Sequence, residues 1–352
     1  MQPRILGALL DVPPPALDVS LAERLAGELF GVQGVATELG GERDRNFRVT
    51  EPDGTSWVLK VVHSHEPPEF TELQSIVLEH VRARAPSLPV ARVRMPLGQE
   101  GPTARWADPS TGGEPLRVRM YSYLPGVPMA RSVPSPRLAR NVGAFVAKLD
   151  RALADLDHPG HVQDLAWDAH RVERVEPVVD VLPPAEQDLV RGALEHFRSH
   201  AGPQIPGLRR QVIHNDANLD NVLTVAVDDP RVSGVIDFGD LLRAPLVQDV
   251  ATTAAYQMRD GGHPMAGPAD VLVGYHRQIP LRPEEIEVLV DLIAARWVLT
   301  MTITAWQARQ RPGNREYILR NAAAAREGLR RLQSLGCGQA TAFLCDAIGK
   351  DT

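Results

Sequence analysis

The chain has 352 residues, 43% of them hydrophobic and 23% charged, with 38 basic against 44 acidic side chains for a net charge of −6. That length suits two domains or one bilobal unit, and the balance of charge excludes a strongly basic nucleic-acid-binding domain. The two cysteines, Cys337 and Cys345, make neither a disulfide framework nor a zinc site and fit a reducing compartment.

Residues 1–15 carry one arginine, a short apolar run, then Asp11 and three prolines, which reads as a cytoplasmic start rather than a secretory signal. Leu21, Leu25 and Leu29 lie at helical spacing and predict a helix over 17–30. Strands are expected at 35–39 and 47–49, joined by the glycine-led loop 40–46. Asp53-Gly54 is a turn signal, and 57–62 reads as a third strand with Lys60 near its middle. A helix over 69–84 and short strands at 90–95, 104–106 and 116–123 complete a small antiparallel β lobe.

After Pro125-Gly126-Val127-Pro128 the pattern turns helical, over 137–153 and 186–201. Residues 212–240 form a strand–loop–strand segment with its turn at Asp228-Asp229-Pro230, and beyond Asp240 the chain is expected to be helical almost to its end. The apolar stretch 289–306, interrupted by Asp291 and Arg296, reads as a buried helix and not a membrane span. The expectation is an α+β, bilobal architecture, with an N-terminal lobe over 1–124 and a larger helical lobe over 125–352.

One segment concentrates polar chemistry. His214-Asn215-Asp216-Ala217-Asn218-Leu219-Asp220-Asn221 lies between apolar strand residues, and Asp237-Phe238-Gly239-Asp240 follows. A loop carboxylate such as Asp216 can accept a hydroxyl proton. The amide of Asn221, five residues on, and the carboxylate of Asp237 at the end of the following hairpin offer the hard oxygen ligands that Mg²⁺ prefers. This order matches the phosphoryl-transfer pattern of a loop aspartate, an asparagine and an Asp-Phe-Gly aspartate. Lys60 sits in an otherwise apolar strand on the same face as Val58 and Val62, where a buried ammonium needs an anion that nucleotide phosphates would supply. The loop from Gly40 and Gly41 to Asn46 stands where a phosphate-covering hairpin would lie, although it has no G-x-G-x-x-G and the chain has no Walker A motif. Glu72, Gln74 and Glu79 are the alternatives for a residue that holds Lys60.

Gly41 to Phe47, Lys60, Ala147 to Leu153, Leu165 to Asp168, His214 to Asn218 and Val235 to Asp240 resemble the aminoglycoside phosphotransferase and choline-kinase-like family over about residues 20–310. Within that family the resemblance is strongest to hydroxylysine kinases and to the kinase-like domain fused to some class III aminotransferases. It implies a protein-kinase-like fold and transfer of the γ-phosphoryl group of ATP or GTP to a small-molecule hydroxyl. Asp216 would then be the catalytic aspartate, Asn221 and Asp237 would bind Mg²⁺, and Lys60 would contact the α/β-phosphates. The Met120 to Leu124 segment, with Tyr121, Tyr123 and Leu124, would meet the adenine. His214 would support the loop and Asp249 would brace it, while Gln74 stands where many members carry the lysine-pairing glutamate.

For the acceptor, Asp168 and Asp240 would bind an amine and Arg296 a carboxylate, which suits hydroxylysine or a related amino alcohol. An aminoglycoside, as in antibiotic resistance, is the alternative acceptor, with homoserine and choline next. A protein acceptor is disfavoured because Asp249 follows Asp237 by twelve residues, too few for a long activation loop. A non-catalytic pseudokinase is the rival from another class, and the presence of Lys60, Asp216, Asn221 and Asp237 together argues against it. Neither a nucleic-acid nor a membrane partner is expected.

Overall fold

The structure, a computed structural model, describes residues 15, 17–41, 44–62, 66–107, 115–162, 164–258 and 261–350. Residues 1–14, and Glu42 and Arg43 of the glycine-led loop, lie outside the described residues. The chain divides into two compact units: the described residues of 15–125 with 156–162, and those of 126–155 with 164–350.

In the first unit, helix α1 (Val19–Phe30) begins at Asp18, whose Oδ1 accepts from the Leu21 amide at 2.8 Å, and ends at Gly31 in the left-handed region. Its buried stripe is Ala22, Leu25, Ala26, Leu29 and Phe30. Strands β1 (Val35–Leu39), β2 (Arg45–Thr50) and β3 (Ser56–Val62) form a meander, followed by helix α2 (Pro68–Arg84). Strands β4 (Val93–Arg94), β5 (Ala104–Trp106) and β6 (Leu116–Ser122) complete a six-stranded antiparallel sheet of order β1-β2-β3-β6-β4, with β5 also on β6. Alternation splits the sheet into two chemistries. Phe47, Val49, Leu59, Val61, Val118 and Met120 join the α1 stripe in one hydrophobic cluster. Register puts Asn46 opposite Lys60 and Lys60 opposite Arg119, so the other face carries a polar row across three strands. The strand expected over 90–95 is reduced to Val93–Arg94.

The second unit opens with β7 (Val127–Pro128) and the strongly amphipathic helix α3 (Pro136–Leu153), capped by Ser135. A run of 3-10 turns, Ala169–Val181, leads to helix α4 (Pro184–Ser199). Strand β8 (Arg210–Ile213) precedes the polar loop, and the hairpin β9 (Val222–Ala226) and β10 (Asp229–Val235) follows it, with β7 on the outer edge of β9. Beyond Asp240 the chain is not immediately helical: β11 (Leu242–Pro245) pairs antiparallel with β8, and Leu242 and Ala244 pack with Ile213 and Leu165. That pairing ties the two ends of the polar segment together.

Helices α5 (Val247–Ala255), α6 (Ala266–His276), α7 (Pro283–Glu287), α8 (Leu289–Gln310), α9 (Arg315–Ile318), α10 (Ala322–Leu335) and α11 (Cys337–Gly349) follow. Helices α3 and α6 cross closely because each has a glycine at the contact. A Cβ on Gly143 would lie 1.9 Å from the Val271 carbonyl oxygen, and one on Gly274 would lie 1.9 Å from that of Arg140. Helix α8 has the length and apolarity to cross a membrane, but 89% of its apolar window is buried inside the protein, as for a core helix.

Candidate active site

The polar face of the first unit's sheet is built around Lys60. The side chain is 9% exposed, and Nζ lies 3.0 Å from Asp44 Oδ2 of the glycine-led loop. Lys60 and Arg119 are two buried cations directly opposite each other on adjacent strands, an arrangement that like-charge repulsion disfavours unless anions offset it. Gln74 on α2 accepts from Arg119 Nη2 at 2.6 Å and donates from Nε2 to Glu66 at 3.0 Å. Its neutral amide therefore links a buried arginine to a buried glutamate. Glu72 is exposed, and the Glu79 carboxylate holds Arg82. In the glycine-led loop, Asn46 Nδ2 donates to the Gly40 carbonyl, and a Cβ on Gly41 would meet Asn46 Nδ2 at 2.6 Å, so a larger residue at 41 would crowd the turn. In the 120–124 segment, Met120 belongs to the core, the Ser122 amide donates to Arg92 O, and the Tyr123 amide donates to Ser56 O. The Tyr123 ring lies under Arg48, 4.3 Å from centroid to guanidinium carbon.

In the second unit, the loop between β8 and β9 is held from below by Asp249 of α5. Its two carboxylate oxygens accept from the backbone amides of Asn215, at 2.7 Å, and His214, at 3.1 Å. Asn215 consequently sits at φ 63°, a left-handed conformation that asparagine tolerates better than most residues. His214 is fully buried, and burial lowers its pKa, so the ring is neutral. Its Nδ1 accepts from the Asp216 amide at 3.2 Å, which leaves Nε2 to donate to the Ile236 carbonyl, also at 3.2 Å. One ring thus joins the loop to the end of β10.

Asp216 emerges from this frame with its carboxylate positioned on both oxygens. Oδ1 accepts from Arg296 Nη2 at 2.5 Å and Asn218 Nδ2 at 3.0 Å, and Oδ2 accepts from Asn221 Nδ2 at 2.7 Å. Burial pushes the carboxyl up to about 7 against the opposing pull of Arg296, with the charges of Asp240 and Asp237 adding to the rise. The β9–β10 register sets Val222 against Val235, and the Ile236 amide donates to Asn221 O, which brings Asn221 and Asp237 to the same end of the hairpin. Asp237 also adopts a left-handed φ, 59°, and its Oδ1 accepts from the Gly239 amide. Because Asn221 Nδ2 is spent on Asp216, its Oδ1 is the atom left for a hard cation. With the Asp237 carboxylate it makes a donor set suited to Mg²⁺.

Arg296, from α8, is buried and enclosed: Nε donates to Tyr256 Oη at 3.0 Å, and the guanidinium lies over the rings of Trp167 at 4.9 Å and Tyr256 at 5.4 Å. The carboxylate it meets in the structure is that of Asp216. Asp168 is likewise interior, at 3% exposure, with Oδ1 accepting from Gln248 Nε2 at 3.1 Å and lying 2.5 Å from His170 Nδ1. Gln248 Nε2 also donates to Asn215 Oδ1, so Asp168 connects to the loop through it. Asp240 is buried at 7% and near enough to act on Asp216 electrostatically. Trp297 is core, with Nε1 donating to Ala255 O. Behind Asp249, Asp150 of α3 is fully buried and accepts from Tyr275 Oη at 2.6 Å; burial, then the neighbouring Asp249, push its carboxyl well above the usual range.

Asp44, Arg119, Asn218, Gln248 and Tyr256 enter these networks without having been singled out individually from the sequence. Asp44 and Asn218 lie within the two motifs and Gln248 beside Asp249, whereas Arg119 and Tyr256 carry no local signal.

The model of the phosphotransferase enzyme family matches residues 35–280. Hydroxylysine kinase of Mus musculus is 27% identical over 342 residues, which cover 91% of this chain and 90% of the relative. Among solved structures, an amicoumacin kinase in complex with AMP-PNP, Ca²⁺ and Ami superposes with a TM-score of 0.65 at 14% identity, covering 89% of this chain and 93% of that one. A microcompartment-associated aminopropanol kinase superposes with a TM-score of 0.63 at 17% identity, covering 90% and 98%.

Proposed function

The chain belongs to the phosphotransferase enzyme family, and from that premise we propose that it transfers the γ-phosphoryl group of ATP to the hydroxyl of an aminated small molecule, hydroxylysine first among them. The observation that carries the reading is Asp216, a half-buried carboxylate poised near neutral pH, oriented by Arg296 and Asn221 and accompanied by Asp237 and Asp240. The acceptor oxygen attacks the γ-phosphorus, the bond to the bridging oxygen breaks, and ADP leaves with that electron pair. The acceptor's proton passes to Asp216.

Each residue present has a role in this scheme. Lys60, with Asp44 steering its ammonium, meets the nucleotide phosphates, and Gly41 and Asn46 shape the loop beside them. Tyr121, Tyr123 and Leu124 belong to the segment that meets the base. Asn221 and Asp237 would hold Mg²⁺, which supplies charge neutralisation on the phosphates. Asp249 and His214 keep the loop in register for Asp216, and Gln74 anchors Arg119. Asp240 draws the acceptor's amine. Asp168 and Arg296, given to the acceptor by sequence reasoning, serve it through Gln248 and Asp216 respectively. The similarity to mouse hydroxylysine kinase over nine-tenths of the chain and to an aminopropanol kinase fold supports an amino alcohol, and the AMP-PNP complex of the amicoumacin kinase supports adenine. The first unit is the nucleotide lobe and the second the catalytic one, and two unpaired cysteines fit a cytoplasmic setting.

The test is a coupled ADP-release assay with Mg-ATP or Mg-GTP and a panel of hydroxylysine, aminopropanol, homoserine, choline and aminoglycosides. The reading predicts fastest turnover on hydroxylysine with ATP and loss of it in Asp216→Asn. Preferential turnover of an aminoglycoside would move the chain to antibiotic modification, and nucleotide binding without transfer to any acceptor would make it a pseudokinase.

A further inference from the structure

We propose that His196, His200 and Asp291 form a binding site for a divalent transition-metal ion of the zinc class, made by residues that the phosphoryl-transfer scheme does not use. His196 and His200 are four residues apart at the C-terminal end of α4, so their rings project from one face of the helix. The centroids are 5.3 Å apart with planes 14° from parallel. Asp291, in the first turn of α8, points its carboxylate at both rings: Oδ1 lies 3.2 Å from His196 Nε2 and Oδ2 lies 3.0 Å from His200 Nδ1.

All three ligand atoms lie within 4.8 Å of one another. Ligands on a tetrahedral zinc ion, with bonds of about 2.0–2.2 Å, stand roughly 3.3 Å apart, so small side-chain shifts would bring these atoms around an ion. A second observation points to a ligand. Asp291 is 2% exposed, yet its Oδ1 has no hydrogen-bond partner, and neither has the buried His196 Nε2 that faces it. The two atoms are within reach but misaligned for a hydrogen bond, which leaves two buried lone-pair sites converging without satisfying each other. Two imidazoles and one carboxylate select Zn²⁺, Co²⁺ or Ni²⁺ over Mg²⁺ and Ca²⁺. The imidazoles are 43% and 39% exposed, so the ion can enter from solvent and keep water in its remaining positions. Glu287 Oε1, 3.9 Å from His200 Nε2, is placed to orient that ring from outside the ligand set. A bound ion would clip α4 to α8, the helix that carries Arg296 five residues on.

The experiment uses the full chain with Cys337→Ser and Cys345→Ser to remove thiol binding, treated with chelator and then titrated with Zn²⁺ by calorimetry, with thermal unfolding as a second readout. We expect one equivalent bound at a Kd below about 10 µM, and a higher Tm with Zn²⁺. His196→Ala and His200→Ala, on partly exposed positions that should fold, each weaken binding by at least about tenfold and abolish the Tm shift. Absence of a one-equivalent event up to about 100 µM Zn²⁺, or binding unchanged in both histidine variants, would overturn the site.

Discussion

Arg296 Nη2 donates to Asp216 Oδ1 across 2.5 Å although the two residues are eighty positions apart, and the bond joins the long core helix α8 to the loop between β8 and β9. Burial and the charges of Asp240 and Asp237 would keep Asp216 protonated well above an ordinary aspartate, and Arg296 opposes them, leaving the carboxyl at about 7. In the proposed scheme Arg296 therefore tunes the base and positions it. The acid limb of the rate profile should fall near pH 7. Arg296→Gln removes the opposing charge, so the limb should move to higher pH, and Arg296→Lys should move it less. A kcat/KM profile measured from pH 5.5 to 9 checks this, and an unshifted limb in Arg296→Gln would contradict it.

Lys60 meets Asp44 across 3.0 Å in a largely buried setting. If its ammonium serves the phosphates, Lys60→Met should weaken Mg-ATP binding by roughly ten- to a hundredfold, the worth of a charge-assisted hydrogen bond. Displacement of a fluorescent nucleotide measures this, and an unchanged Kd would remove Lys60 from the scheme.

Asp150 is a fully buried carboxyl held by Tyr275, and its pKa is raised well above the ordinary aspartate value by burial first and Asp249 second. The sign follows from linkage. In the unfolded chain this group ionises near pH 4 while in the folded chain it holds its proton to higher pH, so it costs stability that grows as pH rises from there towards the folded pKa. Asp150→Asn removes that cost. The Tm of Asp150→Asn relative to the unaltered chain should become more favourable as pH rises above about 4, and a pH-independent difference would contradict the assignment.

Packing at the α3–α6 crossing gives a prediction independent of chemistry. Gly143→Ala places a Cβ 1.9 Å from the Val271 carbonyl oxygen, so the helices must separate, with a loss of about 1–3 kcal/mol or more. Gly192→Ala, in α4 with open space around the new methyl, should instead stabilise by about 0.5–1 kcal/mol through helix propensity. Denaturant unfolding of the pair would show opposite shifts.

These particulars also mark what a linear reading reaches. Strands 35–39 and 104–106 are found at their sequence-predicted bounds. The loop motif is legible because β8, the polar run and β9 follow one another along the chain. β11 was not legible: Leu242-Arg243-Ala244-Pro245 is short, ends in proline and is a strand only because β8 lies beside it. Arg119 looks like a solvent-facing residue in an alternating strand until register sets it against Lys60 and α2 brings Gln74 to it. From the sequence alone, the charges of Asp168 and Arg296 suit an acceptor's amine and carboxylate. Their partners, Asp216 and Gln248, lie eighty residues away in sequence, and only tertiary structure brings them together.

The most direct test of the account is to incubate the chain with hydroxylysine and Mg-ATP labelled at the γ-phosphorus and to identify the labelled product by mass spectrometry. The account predicts label on the acceptor's hydroxyl, formed in step with ADP, and a fall of at least about a hundredfold in Asp216→Asn. ADP formed without labelled acceptor, or transfer that persists undiminished in Asp216→Asn, would contradict it.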